Sequence, residues 1–368
     1  MYKGLYIHIP FCQKKCRYCD FPSFAGLDSL TDKYIDALLL ESDSLKGEKF
    51  DTVFIGGGTP TQLSTLQISG LLKGISQKFE LSSDCEFSCE ANPGTVTEEK
   101  LEALRSGGVN RLSIGVQSFC DRELETIGRI HDSRTAIDTI TLAKKYFDNI
   151  NIDIMTALPG ETMESLIETL DIGISLNPTH ISCYSLILEE GTELHKMAQR
   201  GEISLPCEDE DREMYSMLCE RLAKAGYEQY EISNFARAGF RCRHNLKYWN
   251  TEEYIGLGAA AHSFLGNKRF ANVMDVREYI LNPGKRSEET ELTASDRMGE
   301  YCMMTLRTAH GIDIREFERR FGIGFDEVYK DIPEKFIRLG LMKKTPHGYS
   351  LTREGIDVSN SVMCEFLI

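Results

Sequence analysis

The chain has 368 residues, 41% of them hydrophobic, enough to bury a large core and too many for a disordered protein. A formal charge of -15 leaves no basic footprint for a phosphate backbone, which argues against nucleic acid as the main partner. The sequence opens without a cationic and then apolar leader and holds no run long enough for a membrane span, so a cytoplasmic protein is expected, with its 12 cysteines as thiols or metal ligands.

Short β-branched runs alternate with longer amphipathic stretches through the first two thirds. Strands are expected at 5–9, 52–55, 85–90, 111–117, 150–155 and 181–186. Helices are expected at 32–45, 66–79, 98–105, 134–146 and 163–176 between them, with a further helix at 209–225. Repeated strand and helix implies parallel pairing with helices outside. Six units are too few for a closed eight-unit barrel, so the expected fold is α/β, a partial (β/α)6 barrel over residues 1–233, ahead of a doubly wound sheet.

Residues 234–290 lack a clear period and read as loops over the barrel mouth, with glycines at 239, 256, 258 and 266. From 291 to 368, short helices precede two short strands turning at His347-Gly348, which suggests a small winged-helix-like α+β domain. Across 290–368 there are 11 Lys and Arg against 13 Asp and Glu, a balance that favours a structural or protein-contact role over DNA binding.

The first expected strand leads directly into Cys12-x-x-x-Cys16-x-x-Cys19, with Lys14, Lys15 and Arg17 between the thiols. Three thiolates on one tight loop can hold three irons of a cubane and leave the fourth open to an outside ligand. Zinc is the alternative, but it would want a fourth Cys or His close by.

Unusual residues then recur where successive strands end, the face on which parallel barrels build ligand sites. The second strand runs into Gly56-Gly57-Gly58-Thr59-Pro60. The third ends at Glu90, the fourth at Gln117, and the fifth carries Asp153. Each alone has a bland explanation as a turn, a cap or a buried amide. Several together are costly to bury without a ligand. Arg129 and His131 follow the fourth strand, and Arg129 offers a cation for a carboxylate.

The cysteine spacing, with Tyr18 before the last thiol, and these strand ends resemble the radical-SAM branch that contains anaerobic coproporphyrinogen III oxidase and the HemW-type heme chaperones. The resemblance implies a [4Fe-4S] cluster on Cys12, Cys16 and Cys19, with S-adenosylmethionine (SAM) on its open iron. It implies Tyr6, Tyr18, Gly57, Gly58, Thr59, Glu90, Gln117, Arg129 and Asp153 as SAM contacts, with Ser185 a weaker carry-over. Two departures separate the chain from the oxidases: Phe21 stands where they carry a fourth cysteine, and the motif begins as early as Cys12.

His244-Asn245-Leu246-Lys247-Tyr248-Trp249 matches the His-Asn-x-x-Tyr-Trp motif of the chaperone branch. There the resemblance implies heme binding, with His244 a candidate iron ligand and Tyr248 and Trp249 packing on the macrocycle. Cys242 is a lesser candidate ligand, and His262 is expected as part of the barrel mouth rather than as the axial ligand. The expected function is a heme chaperone that passes heme to an acceptor hemoprotein, with a homodimer left open. The alternatives are an oxygen-independent coproporphyrinogen III dehydrogenase or a related radical-SAM methyltransferase.

Overall fold

The computed structural model describes residues 2–367. Six strands lie side by side in chain order, all parallel: β1 Lys3–Ile9, β2 Lys49–Gly57, β3 Glu80–Ala91, β4 Arg111–Gln117, β5 Asn149–Thr156 and β6 His180–Ser185. Helices Thr31–Ser42, Thr65–Lys78, Glu98–Ser106, Ser133–Ala143 and Met163–Ser175 connect them. Four of these begin where the sequence supplies an oxygen for an unpaired N–H: Ser64, Thr97, Asp132 and Thr162 each accept from the backbone three residues on.

β4 shows how the strands divide their residues. It is buried along its whole length, as a central parallel strand should be. Leu112, Ile114 and Val116 face the helices, each contributing about 1.5–3 kcal/mol by leaving water. The alternate positions Ser113, Gly115 and Gln117 face the other way, into the lumen. The same period sends Tyr6 and His8, Glu86 and Glu90, and Asn151 and Asp153 inward, so the lumen is polar while the helix-facing layer is aliphatic.

Both edges of this sheet are extended. Beyond β6 lie β7 Glu228–Glu231 and β8 Asn234–Ala236, with β8 antiparallel to both. Beyond β1, β9 Tyr254–Leu257 pairs in parallel, followed by an antiparallel meander of β10 His262–Leu265, β11 Lys268–Asn272 and β12 Arg286–Glu291. The result is one open 12-stranded sheet in the order β12-β11-β10-β9-β1-β2-β3-β4-β5-β6-β8-β7, an unclosed partial barrel.

The stretch 234–290, expected as loops, instead holds five short strands and two short helices. Its strands are three to six residues long, and β12 is exposed at every position, so neither length nor alternation marked them.

A second core, containing Tyr301, Phe317, Phe325, Tyr329, Phe336 and Phe366, belongs to the C-terminal region. There helices Ala294–Thr305, Ile314–Phe321 and Asp331–Arg338 pack with a three-stranded sheet of Ile312–Asp313, Met342–Lys344 and Gly348–Leu351. A small cluster of Ile127, Met155, Leu158, Leu186 and Leu194 packs against Tyr18 and supports the cysteine loop. Among the described residues no helix is long and apolar enough to cross a membrane, and all twelve cysteines are free.

Candidate functional site

The cysteine loop leaves β1 and is fastened at several points. Arg17 N–H donates to Ile127 O at 3.0 Å, Leu194 N–H donates to Arg17 O at 2.8 Å, and Phe24 N–H donates to Pro10 O at 2.8 Å. All three thiols line one cavity at the carboxyl ends of the strands, and Tyr18, Gly57, Gly58, Thr59, Glu90, Gln117, Arg129 and Asp153 line it with them.

Two expected contacts lie elsewhere. Tyr6 faces a different cavity, described below. Ser185 is exposed at the end of β6, where its hydroxyl donates to Asp211 Oδ2 at 2.7 Å. His131 adds no charge: its Nε2 sits 3.1 Å from Val116 O, and burial together with nearby Arg129 pulls its pKa down to about 4.

Arg129 is the hub of the wall. It donates to Cys16 Sγ and to the Tyr18 hydroxyl, both at 3.4 Å, to Asn92 Oδ1 at 2.6 Å and to Gly115 O, while its buried Nε finds no partner. Asn92 was passed over in the sequence although it follows Glu90 by two positions, the strand period. It also donates to Thr59 Oγ1 at 2.8 Å, and Thr59 Oγ1 in turn lies 3.5 Å from Cys12 Sγ. Ser113 was missed in the same way, four residues before Gln117 on the same face of β4.

Across the cavity stand two carboxyls. Burial, reinforced by Asp153, pushes Glu90 up to about 8, against the pull of the Gly57 N–H that reaches its Oε2 at 2.9 Å. Burial also raises Asp153, despite hydrogen bonds from Asn151 and Ser113.

The glycine turn is packed closely against the cysteine loop. Gly57 (φ +111°) has no room for a Cβ, which would overlap the His8 ring, and a Cβ on Gly58 would sit 2.8 Å from Phe11 O. The N–H groups at 57, 58 and 59 are already committed to Glu90, Ile9 and Phe11. The missing side chains thus let the turn lock the cysteine loop onto β2, rather than free its N–H groups for a ligand.

The His-Asn-x-x-Tyr-Trp motif forms helix Arg243–Trp249 inside the barrel. Its first N–H groups are held from within the lumen: Arg243 N–H donates to Glu86 Oε2 at 2.9 Å and His244 N–H to Glu86 Oε1 at 3.0 Å. His244 is 1% exposed. Its Nδ1 lies 2.9 Å from Thr52 Oγ1 and its Nε2 2.8 Å from the Tyr248 hydroxyl, and the ring stacks on Phe54. Burial, with Lys247 and Arg111 nearby, takes its pKa down to about 3. Both ring nitrogens are engaged, so this conformation has no nitrogen of His244 free for iron. Cys242 is equally closed: it is buried, and burial pushes its thiol up to about 12.

Tyr248 and Trp249 face outward from this helix into a second cavity of about 480 Å³, with Tyr6, Tyr254, Phe264 and Met304 among its walls. Phe21, 61% exposed, lines both cavities, so they adjoin at the cysteine loop.

The comparisons with known proteins agree with this architecture. Residues 6–172 match the Radical SAM superfamily and residues 292–358 match the HemN C-terminal domain. The heme chaperone HemW of Bacillus subtilis (strain 168) is 37% identical over 99% of both chains. The chain belongs to the HemW family. The HemW of Escherichia coli (strain K12) is 34% identical, covering 99% of this chain and 98% of its own. The structure of the radical-SAM coproporphyrinogen III oxidase of Escherichia coli matches with a TM-score of 0.86 at 24% identity, over all of this chain and 90% of that one, which establishes the shared fold.

A radical-SAM domain implies a [4Fe-4S] cluster and SAM. The residues present fit both. Three loop thiols share one wall of the cavity, with the Arg129 guanidinium donating to Cys16 Sγ beside them. The unpartnered Arg129 Nε suits a carboxylate, and the strained pair of carboxyls suits a ligand bearing positive charge.

Proposed function

We propose that this member of the HemW family is a cytoplasmic heme chaperone, binding heme in the second cavity and passing it to an acceptor hemoprotein. The observation that carries the reading is that helix Arg243–Trp249 presents Tyr248 and Trp249 to a ring-lined cavity that meets the cysteine cavity at Phe21. Flat aromatic walls suit a macrocycle face.

Cys12, Cys16 and Cys19 would hold the [4Fe-4S] cluster, which supplies one open iron for the amino and carboxylate groups of SAM and an electron when reduced. Arg129 would orient the SAM carboxylate while it holds Cys16 and Tyr18 in place. Glu90 and Asp153 would face the cationic and hydroxyl groups, and Thr59 and Gln117 complete that wall. The raised carboxyls are stabilised when a cation arrives.

Anaerobically reconstituted protein titrated with hemin should give a 1:1 shift of the Soret band. Incubated instead with reductant, SAM and coproporphyrinogen III, it should leave that substrate unchanged by mass spectrometry. Conversion to protoporphyrinogen would replace the chaperone reading with the dehydrogenase.

A further inference from the structure

We infer that His262, rather than the motif histidine, is the iron ligand for heme, and that Arg269 and Trp249 receive its carboxylates; this rests on the heme-chaperone reading.

Three imidazoles lie at or near the second cavity, and two of them are spent. His8 lines it, but its Nδ1 is 3.0 Å from the Tyr6 hydroxyl and its Nε2 is 2.8 Å from Pro22 O. His244 is closed by Thr52 and Tyr248. His262 also lines the cavity, is exposed, and makes no side-chain hydrogen bond within the described residues. Iron coordination needs an imidazole nitrogen with a free lone pair, and His262 alone of the three offers one without first breaking a buried hydrogen bond.

The backbone that carries His262 is rigid. It begins β10 directly after a turn in which Ala260 takes a left-handed conformation (φ +59°), a strain of about 1–2 kcal/mol in a residue with a Cβ. The turn is tied on every side. Gly258 N–H donates to Glu41 Oε2 at 2.9 Å and Ala259 N–H to the Tyr34 hydroxyl at 2.9 Å. Ala260 N–H donates to Val273 O at 3.0 Å. Such a turn holds a ligand side chain in place before the ligand arrives, as a binding site on rigid elements should.

Around it the cavity has the character of a porphyrin seat. Its volume of about 480 Å³ falls in the range of cofactor pockets, and Tyr248, Trp249, Tyr254 and Phe264 supply flat faces. Two of its lining residues each carry a buried donor without a partner, Trp249 Nε1 and Arg269 Nε. Arg269 spends only its Nη2 on Glu300, at 2.9 Å. A ligand carrying carboxylates beside an apolar ring would satisfy both donors.

The test is a hemin titration of the full-length reconstituted protein and of His262→Ala and His244→Ala, with magnetic circular dichroism to read the ligand. His262→Ala should bind hemin at least about tenfold more weakly, lose the imidazole signature and regain it with added imidazole, while iron and sulfide content stay unchanged. His244→Ala should keep the imidazole signature even if circular dichroism shows it less stable. An unchanged spectrum and affinity in His262→Ala would overturn the assignment while leaving the heme reading intact. Failure of the unaltered protein to bind hemin would overturn both.

Discussion

The cavity at the cysteine loop and the cavity at the motif helix adjoin at Phe21, but charge walls the first and rings wall the second. The first draws its residues from the loop after β1, from the inward positions of β2 to β5 and from the turns after them, which bring Arg129, Glu90, Asp153 and three thiols together. The second draws on β1, the motif helix and the antiparallel meander of β9 to β11, which bring Tyr248, Trp249, Tyr254 and Phe264. Buried charge without a partner is costly, and unfilled aromatic walls forgo their contacts. Each cavity is therefore shaped for a different guest, and each guest should be removable alone.

The largest effect should follow loss of a cluster thiol. Cys12→Ala, Cys16→Ala or Cys19→Ala should abolish acid-labile sulfide in the reconstituted protein, whereas Cys302→Ala, in the C-terminal core, should retain it. Retention of full sulfide in all three loop variants would break the assignment of the first cavity.

Next comes Arg129→Ala, which removes a charged hydrogen-bond donor of about 1.5–3 kcal/mol and should weaken SAM binding roughly ten- to a hundredfold in equilibrium dialysis. Hemin affinity should not move. Equal loss of both ligands would mean that the two cavities are energetically one site.

The smallest effect is on stability and depends on pH. The folded apoprotein holds Glu90 protonated up to about 8, against an ordinary 4.5, so it binds more protons than the unfolded chain in that window and loses stability as pH rises through it. Glu90→Gln keeps the acceptor for Gly57 N–H and removes the charge. The variant apoprotein should melt higher than the parent at pH 8 but not at pH 4, while its SAM affinity falls. A parallel melting profile at both pH values would show that Glu90 bears no strain.

The parallel strands were legible because short apolar or alternating runs lie between amphipathic stretches, two of which have caps written in the sequence, at Ser64-x-x-Gln67 and Thr162-x-x-Ser165. The strand-end residues were legible for the same reason, since period 2 puts Glu90, Gln117 and Asp153 on the lumen side. Asn92 and Ser113 obey that period and went unread because a lone amide or hydroxyl has a bland local explanation.

The second cavity was hidden for a different reason. His244 meets Thr52 across 192 positions of sequence, and nothing local announces that the imidazole is sealed. Tyr6 looked like a neighbour of the cysteine loop, yet β1 turns it toward Tyr248 and Trp249. β12, reading Arg-Ser-Glu-Glu-Thr-Glu, carries the charge typical of a guarded edge strand and so resembled a loop.

The most direct test of two separate seats is a crossed titration of Cys12→Ala and Trp249→Ala with hemin, read beside acid-labile sulfide and with circular dichroism as a check on folding. Cys12→Ala should lose sulfide and bind hemin like the parent, while Trp249→Ala should keep sulfide and bind hemin more weakly. Loss of hemin binding in a folded Cys12→Ala protein, together with full affinity in Trp249→Ala, would contradict two separate seats.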